Sequence, residues 1–154
     1  MKFKFFESSF DEYINRKNNL HPLTHTKLQN IENTNIIFYG PSGTGKYTQS
    51  LDYIKKYSPS NLKYEKKLLV NFLPNKSQHY YKISDIHIEV DMSLLGCNAK
   101  LLWNEIYNQL IDIACVKQTK MCIIVCKNFQ DIHSELLDNF YSYMQTAHYM
   151  SIKL

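Results

Sequence analysis

One nine-residue stretch constrains this chain more than any other. Gly40-Pro41-Ser42-Gly43-Thr44-Gly45-Lys46-Tyr47-Thr48 follows directly on the apolar run Ile36-Ile37-Phe38-Tyr39. Its spacing is G-x-x-x-x-G-K, that of a phosphate-binding P-loop, which calls for Ser or Thr after the lysine. Tyr47 stands there instead. A buried strand, a glycine-rich turn and then a helix form the context in which such a loop works. Gly40, Gly43 and Gly45 permit backbone turns that gather successive N–H groups around an anion. The following helix adds the positive end of its dipole. Lys46 is placed to reach the β- and γ-phosphates as a point charge. The motif therefore predicts that Gly40, Pro41, Ser42, Gly43, Thr44, Gly45, Lys46, Tyr47 and Thr48 bind ATP or ADP.

The metal chemistry of such a loop is compromised. A Ser or Thr after the lysine gives Mg²⁺ an oxygen beside the phosphates. The Tyr47 hydroxyl sits far from the backbone. Thr48 is rotated by about 100° on a helix and is expected to point elsewhere. Either Mg²⁺ is held through water and other groups, or its site is weakened or lost. The acid that completes the site belongs at the end of a neighbouring buried strand. The best candidate strand, Ile123-Ile124-Val125-Cys126, runs into Lys127-Asn128, neither of them acidic. Asp131 lies further on and reads as a helix N-cap. Asp91 ends another strand, but capping the next turn is its simpler role. No catalytic and no metal-binding residue is assigned, and hydrolysis stays open.

The rest of the pattern predicts an α/β fold, a P-loop NTPase three-layer αβα sandwich with a mainly parallel sheet. Phe5, Phe6, Phe10, Tyr13 and Ile14 recur at helical spacing within a lead-in over residues 1–22, and a nucleotide-binding domain is expected over 23–154. A short helix is predicted over 24–31 and a turn over 33–35. Residues 36–39 read as a buried strand and 47–57 as a helix. Strands over 68–72 and 80–83 flank the turn Pro74-Asn75-Lys76 as a hairpin. The run 85–91 alternates, with Ile86, Ile88 and Val90 on one face. A helix over 100–116 carries the stripe Leu101, Leu102, Ile106, Leu110 and Ile113. A second buried strand over 121–126, a helix over 131–147 with Leu136, Leu137, Phe140 and Met144 on one side, and a strand starting at 150 complete the order. Strands alternating with helices favour a parallel sheet covered on both faces.

Composition narrows the function classes. The 154 residues contain 44% hydrophobic and 21% charged residues, enough for a packed core and too apolar for a disordered chain. Arg16 is the only arginine. A nucleotide kinase needs several in its lid, so a small kinase is disfavoured, although it and an active P-loop NTPase remain the alternative functions. The net charge of +4 is compatible with nucleic acid without requiring it. Lys63, Lys66 and Lys67 read as a solvated face, His21 and His25 as turn histidines, and Trp103 as a core residue. Cys97, Cys115, Cys122 and Cys126 have no zinc spacing and read as reduced, mostly buried thiols. No signal segment opens the chain and no apolar stretch approaches the ~20 residues needed to span a bilayer. A soluble intracellular protein without a membrane partner is expected.

These residues resemble the small subunits of replication factor C, the sliding-clamp loader of the AAA+ superfamily. The likeness runs from about His21 to Leu154 in consistent order. The stretch from Phe38 to Thr48 is similar to that family's P-loop, in the type where a bulky residue replaces the first hydroxyl and Thr follows. Ile86-His87-Ile88-Glu89-Val90-Asp91 with Gly96-Cys97-Asn98 resembles the family's "YHIEV…P-S-x-x-G-x-N" segment. Ile123 to Met144 resembles its "N-E-A-x-x-L…L-R-R-T-M-E" strand and helix. The acidic pair falls on Lys127 and Asn128, and the arginine-rich helix becomes Phe140-Tyr141-Ser142-Tyr143-Met144. The resemblance implies an AAA+ core that works with other clamp-loader subunits, and indirectly with a sliding clamp and primer-template DNA, in the nucleus, the cytoplasm or a viral replication compartment. The family's arginine-finger motif, lid and collar follow the matching segment, so a truncated version or a fragment is expected.

Overall fold

The computed structural model describes residues 9–16, 35–72, 77–116, 122–149 and 152–153. Its helices are α1 (Phe10–Asn15), α2 (Lys46–Lys55), α3 (Ala99–Val116) and α4 (Ser134–Tyr149). Its strands are β1 (Lys66–Phe72), β2 (Ser77–Ile83), β3 (His87–Asp91), β4 (Cys122–Lys127) and β5 (Ile152–Lys153), and they form one sheet in that order. The expected helix over 24–31, the residues Phe5, Phe6, His21 and His25, and the hairpin turn at Pro74-Asn75-Lys76 lie outside the described residues.

The sheet is mixed rather than mainly parallel. β1 pairs with β2, and β2 with β3, antiparallel; β3 pairs with β4, and β4 with β5, parallel. Connection length is the reason. Only residues 84–86 separate β2 from β3, and parallel neighbours need a crossover of about a dozen residues or more. α3 provides that crossover between β3 and β4, and α4 provides it between β4 and β5.

Helices cover both faces. Ile88, Val90, Cys122 and Ile124 project into a cluster with Leu102, Trp103 and Ile106 of α3 and Leu136 and Phe140 of α4. On the opposite face, Ile123 joins Ile86, Phe10 and Ile14 of α1, Leu51 and Ile54 of α2, and Leu62. Full burial of each large apolar side chain stabilises the fold by about 1.5–3 kcal/mol relative to exposure. α1 spans less than two turns and is held mainly from outside. Ser9 accepts from Glu12 N, Glu65 accepts from Phe10 N, and Glu65 also pairs with Lys82.

Several expectations need correction. Residues 36–39 form no strand. β4 already has neighbours on both sides, and no described strand pairs with this segment. Ile37 is 86% exposed and Tyr39 97% exposed, while Ile36 and Phe38 are half-buried. Ile86 does not share a face with Ile88 and Val90, because β3 begins one residue later, at His87. On α3 the buried stripe is Ala99, Leu102, Trp103, Ile106, Tyr107 and Leu110, which leaves Leu101 exposed. Leu137 of α4 is exposed as well. Asp131 is no N-cap of α4; it ends a 3-10 turn (Phe129–Asp131), and α4 starts at Ser134. Trp103 is a core residue as expected, and Lys63, Lys66 and Lys67 are exposed. Cys122 is buried in the α3/α4-side cluster and Cys126 is partly buried against the same cluster, but Cys97 is exposed; all three are free thiols. No described helix is long and apolar enough to cross a membrane.

Candidate functional site

The loop over residues 40–48 turns as its glycines allow. Gly43 and Gly45 have φ of 78° and 80°, left-handed values that a β-carbon would strain. Gly45 is the N-cap of α2 and supplies no capping side chain. The first amides of α2 therefore have no intrahelical or capping partner, the condition under which a helix start receives an anion. Gln49 N donates to Gly45 O at 3.0 Å and starts the helical ladder. Pro41, Ser42, Gly43 and Thr44 are exposed. The loop is closed by its own side chains. Thr44 Oγ1 donates to Pro41 O at 2.9 Å. Lys46 Nζ donates to Gly40 O at 2.7 Å and Pro41 O at 2.5 Å. Phosphate oxygens would have to replace those carbonyls as acceptors for Lys46.

Tyr47 turns away from the loop and towards the sheet. Its hydroxyl donates to Glu89 Oε1 at 2.5 Å. Its ring meets Tyr13 of α1 edge-on, with centroids 4.8 Å apart. Burial, together with the neighbouring Glu89 charge, raises the Tyr47 pKa well above that of an ordinary phenol, so the hydroxyl remains a donor. Thr48, at the next position of α2, is buried.

Sequence reasoning gave Glu89 and His87 no role, yet both are buried, at 4% and 1% exposure. They occupy the face of β3 opposite Ile88 and Val90. His87 Nδ1 bonds Ser84 Oγ at 2.6 Å, and its ring packs on Phe10. His87 Nε2 stands 3.7 Å from Glu89 Oε1, long for a hydrogen bond. Lys127 Nζ, from the end of β4, stands 3.6 Å from Glu89 Oε2 and 4.8 Å from the centroid of the Tyr47 ring. Among the described residues, neither His87 Nε2 nor Glu89 Oε2 has a hydrogen-bond partner. Burial alone would raise the Glu89 pKa. The approach of His87, the Tyr47 hydroxyl and the Lys127 charge outweigh it and hold the carboxyl below its ordinary value. The available signal was the alternation His87-Ile88-Glu89-Val90, in which the polar positions face inward as well.

The tips of β3 and β4 are tied to each other. In the parallel register Asp91 lies opposite Lys127. Asn128 takes the left-handed conformation, φ 52°, that Asn tolerates better than most residues. Its Nδ2 donates to both Asp91 oxygens, at 3.1 and 3.0 Å. Asp91 also accepts from Ser93 N and Ser93 Oγ, capping the 3-10 turn Met92–Leu94. Asp91 is thus a cap, and Asn128 bridges the two strand ends.

These residues do not fit Mg²⁺. The hydroxyl expected after the lysine is a phenol committed to Glu89. The strand end expected to bring an acid brings the Lys127 ammonium. A divalent ion beside that ammonium would be repelled; even unit charges ~4 Å apart interact by about 4 kcal/mol at an effective dielectric of about 20. No family model matches the chain, and no curated protein matches it.

Proposed function

We propose that the chain binds the phosphates of ATP or ADP on residues 40–48, as a degenerate AAA+ domain of clamp-loader type with weak or no hydrolysis of its own. On this reading it has the P-loop NTPase core and acts in DNA replication within a multi-subunit loader. Its surfaces would meet the other subunits and, through them, a sliding clamp and primer-template DNA. The observation that carries it is the loop itself. Gly43 and Gly45 turn into the uncapped start of α2 with Lys46 folded over the loop. The arrangement of the sheet, with Tyr47 in the first turn of α2 beside Glu89 and Lys127 towards the carboxyl ends of parallel β3 and β4, supports the same reading, because open α/β sheets bind ligands at the carboxyl ends of their strands.

Titration with a fluorescent ATP analogue tests it. The chain should bind saturably, and Lys46→Ala should weaken binding by roughly tenfold or more, the worth of a charge-assisted hydrogen bond. An assay of phosphate release should show no turnover above background. Robust turnover by the chain alone would favour an active NTPase or nucleotide kinase instead.

A further inference from the structure

Two departures from the P-loop pattern, Tyr47 and Lys127, lie far apart in sequence and read there as separate losses of metal chemistry. In the structure they touch. The Lys127 ammonium rests over the Tyr47 ring, 4.8 Å from its centroid, and Glu89 holds both side chains, one oxygen to each. We propose that Lys127 replaces the divalent cation and that this site takes nucleoside polyphosphate as the metal-free anion. The proposal rests on the nucleotide reading above and specifies which form of the ligand binds.

The geometry carries three parts of the argument. First, position: a P-loop metal is held between the residue after the lysine and the end of the adjacent strand. Tyr47 and Lys127 are those two residues, and the aromatic ring is a platform of the kind that holds a cation. Second, charge: the metal compensates phosphate charge, and Lys127 brings a fixed positive charge to the same end of the sheet. Its side chain is 38% exposed. Its ammonium has three donors, and the 3.6 Å approach to Glu89 is too long to take one up as a good hydrogen bond. Third, orientation: Glu89 is 4% exposed and bonded to the Tyr47 hydroxyl, so its carboxylate holds the ring, attracts the ammonium by charge and has almost no surface left for a hydrated metal. Lys46 bonds the loop carbonyls and Lys127 lies over the ring of the next residue, Tyr47, so two ammonium groups flank the first turn of α2.

The experiment is equilibrium binding of the fluorescent ATP analogue to the full chain, in Mg²⁺ and in EDTA. Wild type should bind equally in both, within roughly twofold, and Lys127→Ala should lose about tenfold in EDTA. Lys127→Arg should retain binding, because it keeps the charge. The double variant Tyr47→Thr with Lys127→Glu should bind better in Mg²⁺ than in EDTA, since it restores the hydroxyl and the acid. Binding by wild type that strengthens tenfold or more on adding Mg²⁺ overturns the metal-free proposal while leaving the nucleotide reading intact. So does a folded Lys127→Ala that binds like wild type in EDTA. If Lys127→Ala does not fold, the wild-type comparison and Lys127→Arg decide. Absence of binding under both conditions overturns the nucleotide reading and the proposal together.

Discussion

The two faces of β3 are equally buried and differently built. Ile88 and Val90 enter an apolar cluster in which Trp103, Leu136 and Phe140 fill the space between sheet and helices. His87 and Glu89, on the other face, are buried among Phe10, Tyr47 and Lys127, so that ionisable side chains take the place of aliphatic ones. An apolar side chain gains from burial itself, whereas a buried charge is tolerated only against compensating partners. The α3/α4 face carries the larger apolar cluster. The α1/α2 face packs a smaller apolar cluster and keeps a charged group beside the loop over residues 40–48, at some cost in stability. This contrast sets apolar packing against charge within one strand of five residues.

The most severe test of the contrast is on the apolar face. Trp103→Ala removes a fully buried side chain that packs on Phe140 and Tyr143. The expected loss is about 3–5 kcal/mol, read as a fall in the urea midpoint. A loss below that of a substitution at Glu89 would break the comparison.

Glu89→Gln should be milder and differently shaped. It keeps an acceptor for the Tyr47 hydroxyl and removes the charge that faces Lys127 and His87. A loss of about 1–2 kcal/mol is expected at pH 7, from the charge-assisted part of those interactions. The folded protein holds the Glu89 carboxyl below its ordinary value. Its contribution is therefore fully present above the unfolded pKa of about 4.3 and disappears as pH falls through the lower folded value. Urea unfolding across pH should show wild type and Glu89→Gln far apart at neutral pH and converging in acid. Parallel stability curves would mean that the carboxylate charge is not what the cluster uses.

Much of the fold was legible because its signals are local. The two strand-like runs 68–72 and 80–83 on either side of a turn sequence announced the hairpin, and the glycine spacing over residues 40–48 announced the turn into α2, since φ preference is a property of single residues. What failed needed neighbours. Ile36-Ile37-Phe38-Tyr39 is apolar enough for a core strand, but pattern cannot say whether an adjacent strand edge is available. Leu101 fitted a helical stripe that the sheet in fact meets through Trp103 and Tyr107, a rotation that only packing decides. At the candidate site the loop could be read directly, while the contact of Tyr47 with Glu89 and Lys127 could not. It depends on the parallel register that sets β3 beside β4 and on α2 lying across both.

The smallest expected effect sharpens the contrast at the strand tips. Asp91 and Glu89 are both acids of β3, two positions apart, yet Asp91 is only partly buried and its bonds are to Ser93 and Asn128. Burial would raise its pKa, and those hydrogen bonds with the Lys127 charge hold it below the ordinary value. Among the described residues, its hydrogen-bond partners belong to the turns that end β3 and β4. Asp91→Ala should cost about 1 kcal/mol, the usual worth of a lost cap, while Asp91→Asn keeps an acceptor for Ser93 and should cost only a few tenths. Neither should change the response of nucleotide binding to Mg²⁺. An acid that ligates the metal behaves otherwise: Asn would be nearly as damaging as Ala to metal-dependent affinity, because the charge and not the shape is what the ion requires. Measuring both variants by urea unfolding and by nucleotide titration thus separates a cap from a metal ligand, and equal damage from Asn and Ala in the titration would move Asp91 from the first class to the second.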